Sequence, residues 1–208
     1  MNMIWQAQLL ATAFGYAQFP NHGFPEIAIA GRSNVGKSSL INILVNRKIA
    51  HVAARPGKTR SINFYHVRCQ RPFVLVDLPG YGYAARSKSE RDKWARLIEN
   101  YLGKRDHLSL IISLVDFRHG LLENDRLLQE WISSKNIPMQ VVFTKVDKIA
   151  RGKRRGLLNK YILQGIKSMD VPILTSATSR EGIDRLQKFM ESYLASSHDD
   201  NDISAGLI

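Results

Sequence analysis

The chain has 208 residues, of which 44% are hydrophobic, and its 30 Lys and Arg outnumber its 18 Asp and Glu, which gives a net charge of +12. This length and composition predict one globular domain that buries its core without disulfides or a structural metal. The single cysteine excludes a disulfide framework within the chain, and no Cys or His spacing typical of a zinc site is present.

Neither a membrane span nor a leader sequence is predicted. The most apolar stretch, residues 108–115, is far shorter than the roughly 20 residues that a spanning helix needs. The N-terminus has no basic region before its apolar residues, and glutamines interrupt them, which argues against a signal peptide. We therefore expect a monomer in the cytoplasm with no membrane partner.

The positive charge is concentrated in one part of the chain. Residues 47–105 hold 14 Lys and Arg but only four Asp and Glu. One interpretation is that the charge only keeps the protein soluble. The other is a polyanionic partner, because neutralising phosphates releases counterions and so favours binding. A second basic cluster at residues 148–155 is more typical of a solvated helix start than of a binding site.

From residue 26 onward, strand and helix patterns alternate, which predicts an α/β fold with a mostly parallel sheet and helices on both faces. The predicted strands are residues 26–30, 61–69, 73–76, 108–115, 139–143 and 172–175. The predicted helices are residues 38–45, 91–102, 123–134, 154–167 and 183–194. Only three residues separate the second and third strands, too few for a parallel crossover, so we expect an antiparallel hairpin at the edge of a six-stranded sheet.

This pattern also divides the chain. Residues 1–25 are predicted to be an extension, residues 26–195 the α/β domain, and residues 196–208 a disordered tail, because the last segment is polar and has no periodicity.

A phosphate-binding pattern, G-x-x-x-x-G-K-[ST], stands between the first strand and the first helix of this domain. Its residues are Gly31, Arg32, Ser33, Asn34, Val35, Gly36, Lys37 and Ser38. The main-chain N–H groups of such a loop and the helix N-terminus attract phosphate oxygens. We expect Lys37 to reach the β and γ phosphates and Ser38 to bind Mg²⁺. The alternative is a tight glycine turn that holds nothing.

A second stretch follows the strand at residues 73–76, at the end where ligands bind in such sheets. It consists of Asp77, Leu78, Pro79 and Gly80. Asp77 is predicted to hold Mg²⁺ through water, and the N–H of Gly80 to donate to the γ phosphate.

Between these two stretches lies a segment with no apolar periodicity. It contains Gly57, Lys58, Thr59, Arg60 and Ser61. Thr59 is predicted to complete the Mg²⁺ shell when a γ phosphate is present and to let go afterwards, as in a switch. An ordinary loop threonine is the alternative.

Two later stretches are predicted to bind the base. Thr144, Lys145, Val146 and Asp147 close the strand at residues 139–143, and Thr175, Ser176 and Ala177 end the next strand. The Asp147 carboxylate can accept both the N1 hydrogen and the exocyclic amine of guanine, a donor pair that adenine does not offer. The aliphatic stem of Lys145 is expected along the base plane, and a main-chain N–H at 176–177 on the guanine carbonyl oxygen.

These five stretches, in this order, resemble the signature of translation-factor-class GTPases. The fuller pattern, residues 26–42 followed by Pro56-Gly-Lys-Thr, Asp77-Leu-Pro-Gly-Tyr-Gly-Tyr and Thr144-Lys-Val-Asp, resembles the EngB (YihA/YsxC) family of bacterial GTPases over roughly residues 20–195. The resemblance implies one GTPase domain that binds GTP and GDP, depends on Mg²⁺ and takes part in assembling the large ribosomal subunit. The implied partner is a precursor of that subunit or its ribosomal RNA. It also implies a link to normal cell division and septation.

Two residues depart from the common GTPase pattern. Thr144 replaces the usual Asn, which removes an amide that ties the base loop to the phosphate loop, so we expect modest nucleotide affinity without loss of guanine preference. Tyr81 stands where many GTPases carry a water-orienting Gln, so we expect slow intrinsic hydrolysis. K⁺ bound near Asn34, or an arginine from residues 55–60 or from a partner, would offset this. For Asn34 the alternative is an Asn tolerated in a tight turn.

Two other classes of protein stay open. One is a structural GTP-binding protein that assembles with itself and acts directly at the division site. The other is an ATP-dependent nucleic-acid enzyme in which the base motif at residues 144–147 is a coincidence.

Overall fold

A computed structural model describes residues 5–50, 61–82 and 88–204. The described strands are β1 (Gln6–Ala13), β2 (Glu26–Gly31), β3 (Ile62–Arg68), β4 (Phe73–Asp77), β5 (Leu108–Asp116), β6 (Met139–Thr144) and β7 (Ile173–Leu174). They form one sheet in the order β1-β3-β4-β2-β5-β6-β7. β3 is antiparallel to both of its neighbours, and all the other pairs are parallel. The predicted α/β fold with a mostly parallel sheet is confirmed.

The described helices are α1 (Lys37–Leu44), α2 (Lys88–Lys104), α3 (Glu123–Ser134), α4 (Arg151–Leu163) and α5 (Ile183–Ser204). One buried cluster joins the sheet to α1 and α5, a second joins its opposite face to α2 and α3, and a third joins β5 and β6 to α4. In β2, Ile27 and Ile29 belong to the first cluster, whereas Ala28 and Ala30 belong to the second. This alternation buries both faces of the central strand, as helices on both faces of a parallel sheet require.

The N-terminal extension supplies a strand that the sequence pattern did not predict. β1 pairs antiparallel with β3, and a bulge at Leu10 shifts the register between Leu9 and Ala11. The extra residue breaks the period-2 alternation, and the Ala, Gln and Leu residues of this segment favour helices by themselves. The sheet therefore has seven strands instead of six. The β3–β4 hairpin forms as predicted, but it is not at the edge.

Two side chains hold the extension onto the domain. Trp5, only 2% exposed, packs edge-on against Phe73, and its indole N–H donates to Glu191 at 2.7 Å. At the other end of the extension, the Arg105 guanidinium donates to the main-chain oxygen of Pro20 and to the fully buried carboxylate of Glu26. The extension is thus packed into the same core as the domain.

Two helix ends differ from the predicted boundaries. α4 begins at Arg151 and stops at Leu163, short of the predicted end at residue 167, because Gly165 takes a left-handed conformation (φ +83°) that ends the helix. α5 continues to Ser204, so the disorder expected from residue 196 onward is wrong for residues 196–204. No Gly or Pro interrupts residues 183–204, and the Ser196 hydroxyl donates back to the carbonyl of Tyr193.

Within the described residues, no helix combines the length and the apolar character that crossing a bilayer requires.

Candidate nucleotide site

The phosphate loop leaves β2 where that central strand lies between β4 and β5, and such a topological switch point is where ligands bind in open α/β sheets. Its turn depends on two left-handed residues, Asn34 (φ +63°) and Gly36 (φ +106°), the second directly before α1. A side chain at Gly31 would come within 2.8 Å of Val35 and 3.0 Å of Leu114. Glycine is therefore required at both ends of the loop, and the Asn34 conformation gives the tight-turn interpretation a physical basis.

Lys37 and Asp77 lie in direct contact. The Lys37 ammonium donates to the Asp77 carboxylate, and both residues are buried. Ser38 follows Lys37 in the first turn of α1, and Asp77 ends β4, whose register places it beside Ile29 of β2. The structure thus brings Lys37 and Asp77 together at the carboxyl ends of adjacent strands, with Ser38 next to Lys37 in the chain.

The phosphate loop and the segment after Asp77 are joined through their main chains. The N–H of Ser33 donates to the oxygen of Tyr81 at 2.9 Å, and the N–H of Tyr81 donates to the oxygen of Gly31 at 3.4 Å. A Cβ on Gly80 would lie 3.0 Å from the main-chain nitrogen of Ser33. Glycine at position 80 therefore favours the packing of the two segments main chain against main chain, because a Cβ there would crowd Ser33.

The other residues of this stretch hold it in place. The N–H of Leu78 donates to Ile29 at 3.2 Å, and the oxygen of Pro79 accepts a bond from the Trp94 indole at 2.9 Å.

Most of the predicted switch segment lies outside the described residues, including Gly57, Lys58, Thr59 and Arg60. Ser61 is described and is buried directly before β3. The antiparallel register places Asn63 opposite Asp77, so Ser61 lies at the same edge of the sheet as the phosphate loop.

The base motif is tied to the phosphate loop by two side chains. The Thr144 hydroxyl donates to the main-chain oxygen of Val35 at 2.7 Å, and the Lys145 ammonium donates to that of Asn34 at 2.6 Å. Thr144 is 4% exposed, so its bond is shielded from water. The expectation that Thr144 leaves the two loops untied is wrong, because the hydroxyl takes the place of the missing amide.

Asp116 is a site residue that the sequence analysis missed. Its carboxylate accepts bonds from the main chain and the guanidinium of Arg118, and it lies 3.1 Å from the Lys145 ammonium. Burial by itself raises the pKa of Asp116, but the bonds from Arg118 and Lys145 outweigh burial and lower it to about 2. Asp116 ends β5 as Asp77 ends β4, so the same strand-end rule indicates it.

Asp147 lies at the rim of a cavity of about 260 Å³ beside the phosphate loop. Gly36, Thr144, Lys145, Asp147, Lys148, Thr175 and Ala177 are among its lining residues. The Ser176 hydroxyl donates to the Asp147 carboxylate at 2.7 Å and lowers its pKa, so this acceptor is ionised and oriented. The structure thus places five of the seven predicted base-binding residues around one cavity. The other two are Ser176, which bonds to Asp147, and Val146, which is fully buried.

The segment at residues 175–177 is fixed by main-chain bonds. The oxygen of Thr175 accepts from the N–H of Val146 at 3.2 Å, and the N–H of Ser176 donates to the oxygen of Glu181 at 3.0 Å. Because the Ser176 N–H is engaged, the predicted main-chain contact to the guanine carbonyl narrows to Ala177.

Arg154 connects the two segments that are predicted to bind the base, and the sequence analysis missed this residue too. Its guanidinium donates to both carboxylate oxygens of Glu181, at 2.7 and 2.8 Å, and to the main-chain oxygen of Ile149. Glu181 also accepts the N–H of Ser176 through its main-chain oxygen. The sequence pattern assigned Arg154 to a solvated cluster, and only its partner across 27 residues reveals the role.

Tyr81 faces away from water. Its hydroxyl donates to the Asp125 carboxylate at 2.8 Å, and the residue is 7% exposed. Burial, together with the nearby Asp125 charge, raises the pKa of Tyr81 well above its ordinary value. The side chain is thus committed to packing against α3, and it does not offer a water-orienting group to the phosphate loop.

Known proteins are similar in sequence to most of this chain. Residues 26–145 match the family model described as 50S ribosome-binding GTPase. The probable GTP-binding protein EngB of Levilactobacillus brevis is 46% identical over 191 residues, which cover 89% of this chain and 94% of that protein. The probable GTP-binding protein EngB of Kosmotoga olearia is 43% identical over 189 residues, which cover 90% and 98%.

Solved structures share the fold. The crystal structure of a probable GTP-binding protein EngB matches with a TM-score of 0.66 and 23% identity over 82% of this chain and 99% of that one. The structure of Era in complex with MgGDPNP and nucleotides 1506–1542 of 16S ribosomal RNA matches with a TM-score of 0.70 and 25% identity, over 83% of this chain and 57% of that one.

Proposed function

Because the chain belongs to the EngB family of GTP-binding proteins, we propose that it hydrolyses GTP to GDP and acts as a nucleotide-dependent switch in the assembly of the large ribosomal subunit. In this role it works as a monomer in the cytoplasm and supports normal cell division through ribosome supply. The observation that carries the nucleotide part is the joint between the two loops, where Thr144 and Lys145 bond the phosphate loop next to the cavity that Asp147 borders.

Phosphate binding is inferred from the surroundings of Lys37. Its ammonium is paired with Asp77, and a triphosphate offers it a more strongly charged partner at the amides of residues 31–38. Transfer of Lys37 to the β and γ phosphates releases the Asp77 carboxylate. One exchange of partners therefore prepares both a phosphate ligand and an acidic group for a metal.

The residues present fit Mg²⁺. This ion prefers oxygen ligands and binds through one or two protein groups plus water and phosphate. Ser38 and Asp77 supply a hydroxyl and a carboxylate. Ser38 would hold the ion directly and Asp77 through water, and the ion neutralises phosphate charge when bound. Thr59 is the second direct protein ligand that we propose.

The base side is tested by competition. We expect GTP and GDP to displace a bound guanine nucleotide and ATP to fail, because only guanine presents two donors to the Asp147 carboxylate. Asp147→Asn should shift the preference from guanine towards xanthine. Equal binding of ATP would support the nucleic-acid enzyme class instead.

Hydrolysis is proposed to be slow until an activator supplies what Tyr81 does not. The Tyr81 hydroxyl is bonded to Asp125. We therefore propose that K⁺ beside Asn34, or an arginine from residues 55–60 or from the partner, stabilises the transition state. We expect the rate to rise from Na⁺ to K⁺, or from K⁺ alone to K⁺ with ribosomal subunits. Equal rates in all three conditions would contradict both routes.

The ribosomal role is supported by the family description and by the net charge of +12. Co-sedimentation with separated ribosomal subunits, in a GTP analogue and in GDP over a salt series, tests it. We expect binding to the large subunit that is stronger with the analogue and falls with salt. Binding that ignores both nucleotide and salt contradicts the switch, whereas self-assembly with GTP in sedimentation would support a structural protein at the division site.

A further inference from the structure

Helix α4 carries positive charge that the described part of the chain does not balance. Its 13 residues include five Lys and Arg and no Asp or Glu. Arg154 is engaged by Glu181. The other four cations are exposed, and none forms an ion pair with a described residue; they are Arg151, Lys153, Arg155 and Lys160. We call these four residues the α4 face.

This helix is also charged against its own stability. A helix N-terminus has a partial positive charge and favours acidic residues, yet the first turn of α4 has none and instead contains Arg151, Lys153 and Arg154. Ala150 precedes the helix and provides no side-chain cap. Local choices that oppose the fold are expected at functional positions. Here the unfavourable charges add to the potential of the helix end, so this end of α4 is a strongly attractive surface for an anion.

The same helix exposes main chain. Gly152 and Gly156 lie one turn apart, both are exposed, and a Cβ at either position would meet no atom within 4 Å. Neither glycine has a positive φ. Packing within the described part of the chain therefore does not require glycine at these positions, and glycine there lowers the stability of the helix. Between the cations, a partner can approach the helix more closely than side chains would allow.

We propose that the α4 face docks the phosphate backbone of RNA. The argument is charge complementarity. Arg151 and Arg155 lie on one flank of the exposed side of α4, Lys153 and Lys160 lie on the other flank, and the four cations extend over about 14 Å of the helix. Exposed cations over that length match a few consecutive phosphates. Along the chain, the four cations closely follow the cavity that Asp147 borders. Lys148 lines that cavity, and Arg154 attaches α4 to Glu181. That the RNA is ribosomal rests on the proposed function, whereas the docking of RNA on this face does not.

The test compares two variants of the full-length protein with equal loss of charge. One is Arg151→Gln, Lys153→Gln, Arg155→Gln and Lys160→Gln together. The matched control is Lys48→Gln, Lys135→Gln, Arg185→Gln and Lys188→Gln, four exposed cations outside α4. Affinity for deproteinised large-subunit RNA is measured from 50 to 200 mM salt.

We expect the variant of the α4 face to bind about 100-fold more weakly at 0.1 M salt, and the slope of log affinity against log salt to be shallower by about 3. The control should stay within about threefold of the wild type. Equal losses in the two variants would mean that only net charge matters, and an unchanged α4 variant or a wild type that binds no RNA overturns the proposal.

Further measurements distinguish a folding defect, a failure of this proposal and a failure of the proposed function. GDP affinity equal to that of the wild type establishes that the variants are folded, and single charge reversals give a second comparison in which Arg155→Glu should weaken RNA binding more than Lys188→Glu. If the α4 variant loses intact large subunits but keeps deproteinised RNA, the partner is an acidic protein and the RNA proposal is wrong. If wild type binds RNA through α4 but ignores intact subunits in every nucleotide state, the proposed function fails and the α4 face stands.

Discussion

Replacing Thr144 by valine removes one hydroxyl and keeps the shape of the side chain. The hydroxyl donates to the Val35 oxygen at 2.7 Å, and both residues are 4% exposed. The variant therefore leaves a buried carbonyl without its donor, which costs about 1–3 kcal/mol of stability. Because this bond also positions the phosphate loop against the base motif, we expect part of this free energy to be lost from GDP binding as well. A loss of 1.4 kcal/mol corresponds to about tenfold in affinity, so we expect GDP to bind roughly 3- to 10-fold more weakly.

The matched control is Tyr161→Phe. It also removes one hydroxyl that donates to a main-chain oxygen, that of Phe117 at 3.1 Å, and the residue is 6% exposed. Its partner lies in the cluster under α4 and not in the phosphate loop. Urea unfolding and isothermal titration with GDP are measured for both variants. Both should lose stability, but only Thr144→Val should also lose GDP affinity.

A single outcome refutes this reasoning. If the two variants are destabilised to similar extents and Thr144→Val binds GDP as tightly as Tyr161→Phe, then the Thr144 bond stabilises the fold without positioning the phosphate loop. The original reason for expecting modest affinity, the loss of the amide that ties the two loops, would then stand again.

Arg154→Met should weaken GDP binding several-fold, because it detaches Glu181 from the base-binding segment, and Arg154→Lys should recover part of the loss; titration showing equal affinities for the two variants would contradict this. Gly152→Ala and Gly156→Ala should each raise Tm by about 2–4 °C in calorimetry, since alanine stabilises an exposed helix; an unchanged Tm would argue against glycines in open space. The pKa of Asp116 is lowered from 3.8 to about 2, so its contribution is complete above about pH 4 and is lost as the pH falls towards 2. Urea unfolding should show the wild type losing more stability over that window than Asp116→Asn, and parallel curves would refute the assignment.

Elements with a regular pattern were predictable. The alternation of apolar strands with helical stripes gave the parallel sheet, and the three-residue connection gave the β3–β4 hairpin. β1 was not predictable because the bulge at Leu10 interrupts its alternation, and its stability as a strand comes from pairing with β3. The C-terminal ends of α4 and α5 depend on backbone conformation: Gly165 ends α4, and unbroken helical hydrogen bonding carries α5 past residue 196.

By itself the sequence determined which chemical groups the candidate site contains, because the phosphate-loop pattern and the motif with the carboxylate predicted to select guanine are short and their spacing is local. Only the tertiary structure decided how these groups are held. The Thr144 hydroxyl meets a carbonyl 109 residues away, and the Lys145 ammonium meets one 111 residues away. Likewise, Arg154 is bound by Glu181 while its neighbours on α4 stay exposed. Residue type states which bonds a side chain can make, but the packing of distant strands determines which partner comes within hydrogen-bond distance.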